Sequence, residues 1–232
     1  MKLAETKRVY TYNIQMNTPT PVAAGNTLTE SFIYNPLAVL GNDSLPVTTE
    51  GTEFLDPMLV GRFSVQLDWV RFASSFNSLP TVLVNIYLIA SNVEYTASGA
   101  TGRVMTTLEE AEFWLRRPSA NLSPVMNTDN VTVISRRKLR FAPKAIVSGF
   151  GGTGLVSRET KTVKISRRLR GTKQQNFEIS AGGTGQTKSG YLKGYNFYWV
   201  VTTMSNGQAN TAGTAFSPLS VQMDSYVYFK DL

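Results

Sequence analysis

The chain has 232 residues, 42% of them hydrophobic and 17% charged, with 23 basic and 16 acidic side chains giving a formal net charge of +7. This composition builds a packed core, not a disordered or fibrous chain, and the length suits one all-β unit spanning residues 1–232. Cysteine and histidine are both absent, which excludes a disulfide framework, the histidine-dependent serine and cysteine nucleophiles, and the ligand sets of nearly every zinc site.

From the N-terminus, MKLAETKRVYTYN lacks the apolar core of a secretory signal. No stretch reaches the ~18 consecutive apolar residues of a membrane span, so the expectation is a soluble, non-secreted chain. The sequons at Asn42, Asn121 and Asn130 carry no weight without a secretory signal. Strands rich in Val, Ile, Thr, Tyr, Phe and Trp are predicted over 9–15, 29–34, 62–73 and 81–92. In the third of these, Phe63, Val65, Leu67 and Trp69 alternate with Arg62, Ser64, Gln66 and Asp68, the period of a strand buried on one face. The fourth is apolar on both parities and is expected mid-sheet, covered on both sides.

TTLEEAEFWLRRP then predicts one short helix over 107–117. Thr107 with Glu110 reads as a capping box, Arg116 and Arg117 fall in the last turn, Pro118 stops it, and Leu108, Ala111 and Leu115 face inward. Without histidine, proton transfer near neutral pH would need a carboxylate, lysine or tyrosine of strongly shifted pKa. The densest acidic group, Glu109, Glu110 and Glu112, instead matches the dipole of this helix. No catalytic residue, metal site or cofactor is therefore expected.

Further strands are predicted over 131–141, 144–148, 161–170, 194–204 and 220–229. Two glycine-rich segments imitate nucleotide-binding motifs. Gly149, Gly151 and Gly154 fit G-x-G-x-x-G, but β-branched alternation follows where a helix should open. GGTGQTKS, residues 182–189, ends like a phosphate-binding loop, yet Thr187 replaces the glycine before Lys188 and a strand follows. Both read as flexible turns. Long loops with Pro, Gly and Asn join the strands and there is no βα alternation or long repeat, which predicts an all-β antiparallel two-sheet sandwich.

Charge is concentrated in one segment. Residues 1–130 carry a net −4, residues 131–173 hold 12 basic side chains against one acidic for +11, and residues 174–232 are neutral. Arg136, Lys138 and Arg140 share a parity opposite Val131, Val133, Leu139 and Phe141. Lys164, Arg168 and Arg170 oppose Val163, Ile165 and Leu169, so two strands each present a cationic row away from the core. Adjacent rows of like charge repel, a cost that a polyanion offsets. The candidate nucleic-acid contacts are Arg136, Arg137, Lys138, Arg140, Lys161, Lys164, Arg167, Arg168, Arg170 and Lys173, acting on phosphates without reading sequence.

With its long loops, basic segment and aromatic C-terminal strand, the chain resembles single jelly-roll capsid proteins of small icosahedral viruses. VKISRRLRGTKQQNFE, TGQTKSGYLKGYNFYWVVTTM and the closing SYVYFKDL look most like those of circovirus-like circular single-stranded DNA viruses. The resemblance implies two four-stranded sheets, a homo-oligomeric shell packaging viral nucleic acid, outer loops, and a location in the virion after assembly inside the host cell. One departure is that such proteins begin with a long arginine-rich arm, whereas this chain offers Lys2, Lys7 and Arg8 before its first strand. The alternative is a monomeric or dimeric β-sandwich binding module for carbohydrate or an anionic polymer, with Trp69, Trp114 and Trp199 as candidate platforms. A carboxylate-dependent glycosidase ranks behind both, because no pair of acids stands out.

Overall fold

A computed structural model describes residues 6–16, 29–37, 53–69, 81–93, 95, 102–118, 124–142, 158–169, 175–182, 185–192, 195–205 and 219–231. Its strands are β1 (Thr6–Gln15), β2 (Glu30–Tyr34), β3 (Glu53–Asp68), β4 (Val82–Ser91), β5 (Arg103–Val104), β6 (Trp114–Arg116), β7 (Val125–Met126), β8 (Val131–Phe141), β9 (Arg158–Arg168), β10 (Gln175–Gly182), β11 (Gly185–Leu192), β12 (Asn196–Ser205) and β13 (Leu219–Asp231). The helix α1 (Thr107–Phe113) lies between β5 and β6. The strand expected over 144–148, the glycines at 149–154 and the long loops lie outside the described residues.

All pairings are antiparallel. One sheet runs β1-β13-β3-β10-β11, with β9 also on β3, and the other runs β5-β2-β12-β4-β8. With β5, β6, β7, β10 and β11 set aside, the remaining eight strands take chain positions one, eight, three and six in the first sheet and two, seven, four and five in the second. That interleaving is a jelly roll, two Greek keys folded into facing sheets. The expected all-β two-sheet sandwich with one short helix is thus the observed fold.

The alternation in β3 decides which face is inside. Phe63, Val65, Leu67 and Trp69 are buried, each at 2% exposure or less, while Arg62 is exposed. They meet Val82, Val84, Ile86, Leu88, Trp199 and Val201 from the second sheet. The ring of Trp199 stands edge-on to Phe63 at 5.3 Å and 73°. Gly61 makes room for this pair, since a Cβ there would lie 2.6 Å from Phe63 and 3.0 Å from Trp199. β3 also starts nine residues before the expected position, because Pro57 sits where the pairing with β13 shifts register, and a bulge tolerates a residue without an N–H.

β4 is apolar on both parities because each side is covered. Its even positions join the intersheet core, while Tyr87 and Ile89 join a second cluster with Ile33, Phe113, Trp114, Tyr198 and Val200. α1 and the β6–β7 pair close over that outer cluster. The helix differs from expectation in cap, length and face. Its capping box is Thr106 with Glu109, one residue early, and Trp114 is already extended at φ −114° and ψ 125°. Arg103, on β5, decides between the two equivalent Thr-x-x-Glu registers, donating to Glu109 Oε2 at 2.6 Å and pairing with its other oxygen. Burial pushes the Glu109 carboxyl up, but the hydrogen bonds from Arg103 and Thr106 outweigh it and hold the pKa below its usual value.

The helix packs through Phe113, which is fully buried. Leu108 and Leu115 are 77% and 68% exposed, and Ala111 is exposed too. A helix this short is held by the aromatic pair at its end: Phe113 meets Trp114 at 4.5 Å and Tyr95 at 6.2 Å. Arg116 belongs to β6, and Arg117 folds back to donate to the Thr107 carbonyl at 2.9 Å and pair with Glu110 at 3.4 Å. Thr106→Ala is expected to cost about 0.5–2 kcal/mol through loss of the cap. Thr107→Ala, exposed and outside the box, should stay within about 0.5 kcal/mol. Urea unfolding of the two variants checks this, and equal losses would refute the assigned cap.

Candidate nucleic-acid interface

Strands β8 and β9 are successive along the basic segment, yet they belong to different sheets. Among the described residues β8 pairs with β4 alone and β9 with β3 alone. Both are therefore edges, and they border the same open flank of the sandwich. The two cationic rows are not side by side, as the sequence reading has them; they occupy the outer faces of opposite sheets. Repulsion between them is correspondingly weaker, because the two rows of side chains point away from each other.

On β8, Arg136, Lys138 and Arg140 lie opposite Tyr87, Asn85 and Leu83 and share the outer face, as expected. The apolar half of that expectation holds for Leu139 and Phe141 and fails for Val131 and Val133. Register shifts between Leu88 and Ile89, so Ser135 faces Leu88 but Val133 faces Ile89, leaving Ile134 as an extra residue. This bulge inverts parity: Leu139 and Phe141 face the intersheet core, while Val131 joins Tyr87 and Ile89 in the outer cluster. Arg136 is held in place, donating to Asn85 Oδ1 at 3.1 Å with its guanidinium 5.3 Å from the Tyr87 ring centroid.

β9 follows its predicted alternation. Val163 packs against the core and Ile165 is buried, while Lys164 and Arg168 point outward and are exposed. Arg137, Lys161 and Arg167 take the opposite parities and face into the gap between the two edges. Lys161 is engaged within the chain: its ammonium donates to the Arg140 carbonyl, lies 4.8 Å from the Phe141 ring centroid and pairs with Glu159 at 3.3 Å. It ties one edge to the other. Arg137, Lys138, Arg140, Lys164 and Arg167 are exposed, and among the described residues no carboxylate pairs with them. Arg170 and Lys173 lie outside the described residues.

Several cations near this flank fall outside the predicted set. Arg158 extends the β9 row and pairs with Asp68 at 3.6 Å. Arg62 lies directly opposite Lys164 on β9 and Asp224 on β13. Arg62 was detectable from its alternation with Phe63 and Val65, but it lies in the net-acidic part of the sequence. Two of the three glutamates of α1 are engaged through their carboxylates, Glu109 in the cap and Glu110 with Arg117, while Glu112 is exposed and only its backbone carbonyl accepts, from Asn130 at 3.2 Å. Among the described residues no group of three potential metal ligands occurs, and no helix is long and apolar enough to cross a membrane.

Neither a sequence-family model nor a curated protein matches the chain. Similar solved structures include the semi-empty VLP of giant freshwater prawn Macrobrachium rosenbergii nodavirus, at 10% identity and TM-score 0.41, covering 99% of this chain and 84% of that one. Tobacco necrosis virus gives 9% identity, TM-score 0.38 and coverages of 97% and 95%. The 60-mer BFDV capsid protein gives 10%, 0.31, 100% and 96%. Likeness at this level carries no weight by itself, and the jelly-roll assignment rests on the strand order.

Proposed function

We propose that the chain is a structural protein: the shell-forming subunit of a small icosahedral virus, a single domain over residues 1–232 that contacts the viral genome through phosphates along the β8–β9 flank. The observation that carries this reading is a jelly roll whose open flank concentrates basic side chains on both outer faces and in the gap between them. Jelly rolls also build lectins and cupins, so the fold alone does not choose a function. For a carbohydrate module, Trp69, Trp114 and Trp199 are 2%, 4% and 0% exposed and offer no stacking surface. Exposed Leu108, Leu115 and Val125, on α1 and the β6–β7 pair, supply apolar area for contact between copies. A circovirus-like single-stranded DNA genome, and a path from the host cell interior to the virion, belong to the same proposal.

A closed shell needs several distinct contacts, each burying upwards of about 1,000 Å². Expressed protein should elute as a large species, appear as closed particles in negative stain, and carry nuclease-protected nucleic acid. A chain that stays monomeric or dimeric across salt and pH would instead favour the binding module.

A further inference from the structure

The outer face of the first sheet carries a second feature that the basic flank does not explain. Pairing brings Arg8, Tyr228, Met58 and Arg168 into one row across β1, β13, β3 and β9, and Tyr10, Tyr226, Val60 and Ser166 into the next. Asp224, Arg62 and Lys164 form the row beyond it. Tyr12 lies beside them, because β1 bulges between Thr11 and Ile14 with Asn13 at φ 54°. The Asn13 amide is fixed by Asp224 Oδ1 at 3.0 Å.

The tyrosines form a connected group. Tyr10 and Tyr12 are 4.7 Å apart between centroids, and Tyr12 meets Tyr226 at 5.7 Å, edge-on. Tyr10 and Tyr12 are 49% and 50% exposed, so their rings are open to a partner. Arg8 stands 5.3 Å from the Tyr10 centroid and Arg62 5.3 Å from that of Tyr226. Two shallow grooves border the group, one of about 310 Å³ between Arg62, Lys164 and Asp224, the other of about 210 Å³ between Met58, Arg168, Tyr228 and Lys230.

Charge selects the occupant. Among the described side chains six cations share this face, Arg8, Arg62, Arg158, Lys164, Arg168 and Lys230, against Asp68 and Asp224. Asp68 is paired with Arg158, and Asp224 is turned to the Asn13 amide. Exposed aromatic rings ringed by cations match unpaired bases joined by phosphates. A duplex, whose bases are already stacked on one another, has no free ring face to present.

We propose that the Tyr10–Tyr12–Tyr226 face of the first sheet is a stacking platform for single-stranded nucleic acid, with Arg8, Arg62, Lys164 and Arg168 taking the adjoining phosphates. This rests on the genome-binding reading and deepens it, making the contact selective for single strands and extending it from the flank across the sheet.

The test compares wild type, Tyr10→Leu/Tyr12→Leu and Tyr10→Phe/Tyr12→Phe by fluorescence anisotropy with oligothymidylate and with a duplex of equal length, at several salt concentrations. Circular dichroism confirms folding, and the phenylalanine pair keeps the rings should the leucine pair misfold. The leucine pair should lose roughly 5- to 150-fold in single-strand affinity, with duplex affinity and salt slope unchanged, and the phenylalanine pair should bind as wild type does. Unaltered single-strand affinity in the leucine pair, or equal loss in both variants, overturns the platform alone. Lost particle formation with unaltered affinity assigns the face to contacts between copies and overturns it too. Wild type that binds neither probe overturns both the platform and genome contact.

Discussion

Trp199→Ala should lower the unfolding free energy by about 3–5 kcal/mol, the range for truncating a buried large aromatic. Every residue of β12 is buried, because its inner face meets the first sheet and its outer face lies under the α1 cluster. Trp199 sits at 0% exposure between Leu88 on β4 and Tyr34 on β2. Its edge-on contact with Phe63 joins the two sheets, and such pairs add about 0.5–1.5 kcal/mol beyond area burial. The indole Nε1 has no hydrogen-bond partner among the described residues, so truncation sacrifices packing alone. Collapse into the space is restricted because β3 at Gly61, against which the indole packs, is held by β13 and β9 from both sides. A loss of this size is a large fraction of the roughly 5–15 kcal/mol that holds a typical domain together. Dissociated subunits in urea, followed by far-ultraviolet circular dichroism, separate folding from assembly. A change below about 1 kcal/mol would show that β12 does not bridge the sheets as described.

Local periodicity carried much of the architecture. β8 has the predicted bounds, β3 shows the predicted one-sided alternation, and the two-sided apolar pattern of β4 reflects the second cluster beneath α1. Where the reading fails, a tertiary contact decides something that is degenerate locally. Thr106 with Glu109 and Thr107 with Glu110 have the same capping spacing, and only Arg103, brought by β5, selects the first. The bulge at Ile134 has no glycine to announce it, and one extra residue is enough to reverse the face of everything on its N-terminal side. Residues 182–189 read as a turn because of their glycines, yet Gly182 and Gly185 pair across a hairpin and Lys188 lies within β11.

The basic residues were legible as a set, but not their arrangement. Parity assigns each side chain to one face of its own strand and says nothing about which strand lies next to it. Chain order suggests a β8–β9 hairpin. The jelly roll instead sends the chain from one sheet to the other between them, so the cations wrap an edge. The tyrosine face was equally visible as alternation, Arg8, Tyr10 and Tyr12 on one strand and Tyr226, Tyr228 and Lys230 on another. Its significance depends on β1 and β13 being neighbours, although more than two hundred residues separate them in sequence.

Reversing Lys138, Arg140, Lys164 and Arg168 to glutamate should abolish most nucleic-acid affinity while leaving the subunit folded. All four side chains are exposed, and the set omits Arg136 and Lys161, whose contacts with Asn85, Tyr87, Phe141 and Glu159 hold the edges. Glutamate at position 164 would face Arg62 across β3 and β9, replacing a like-charged cross-strand pair with an opposite one, a gain of about 0.2–1 kcal/mol. Lost binding could not then be ascribed to unfolding at that site. Each neutralised phosphate on a single strand contributes about 0.7 to the slope of log affinity against log salt, so loss of four contacts should make it shallower by about 3. Reversing Lys138 and Arg140 separately from Lys164 and Arg168 divides the effect between the outer faces of the two sheets. A strand that crosses the flank loses about 1.4 from either pair, whereas one lying on the first sheet alone loses slope only with Lys164 and Arg168. An unchanged slope in the quadruple variant would remove the flank from genome contact, and folded subunits that no longer assemble would place it between copies.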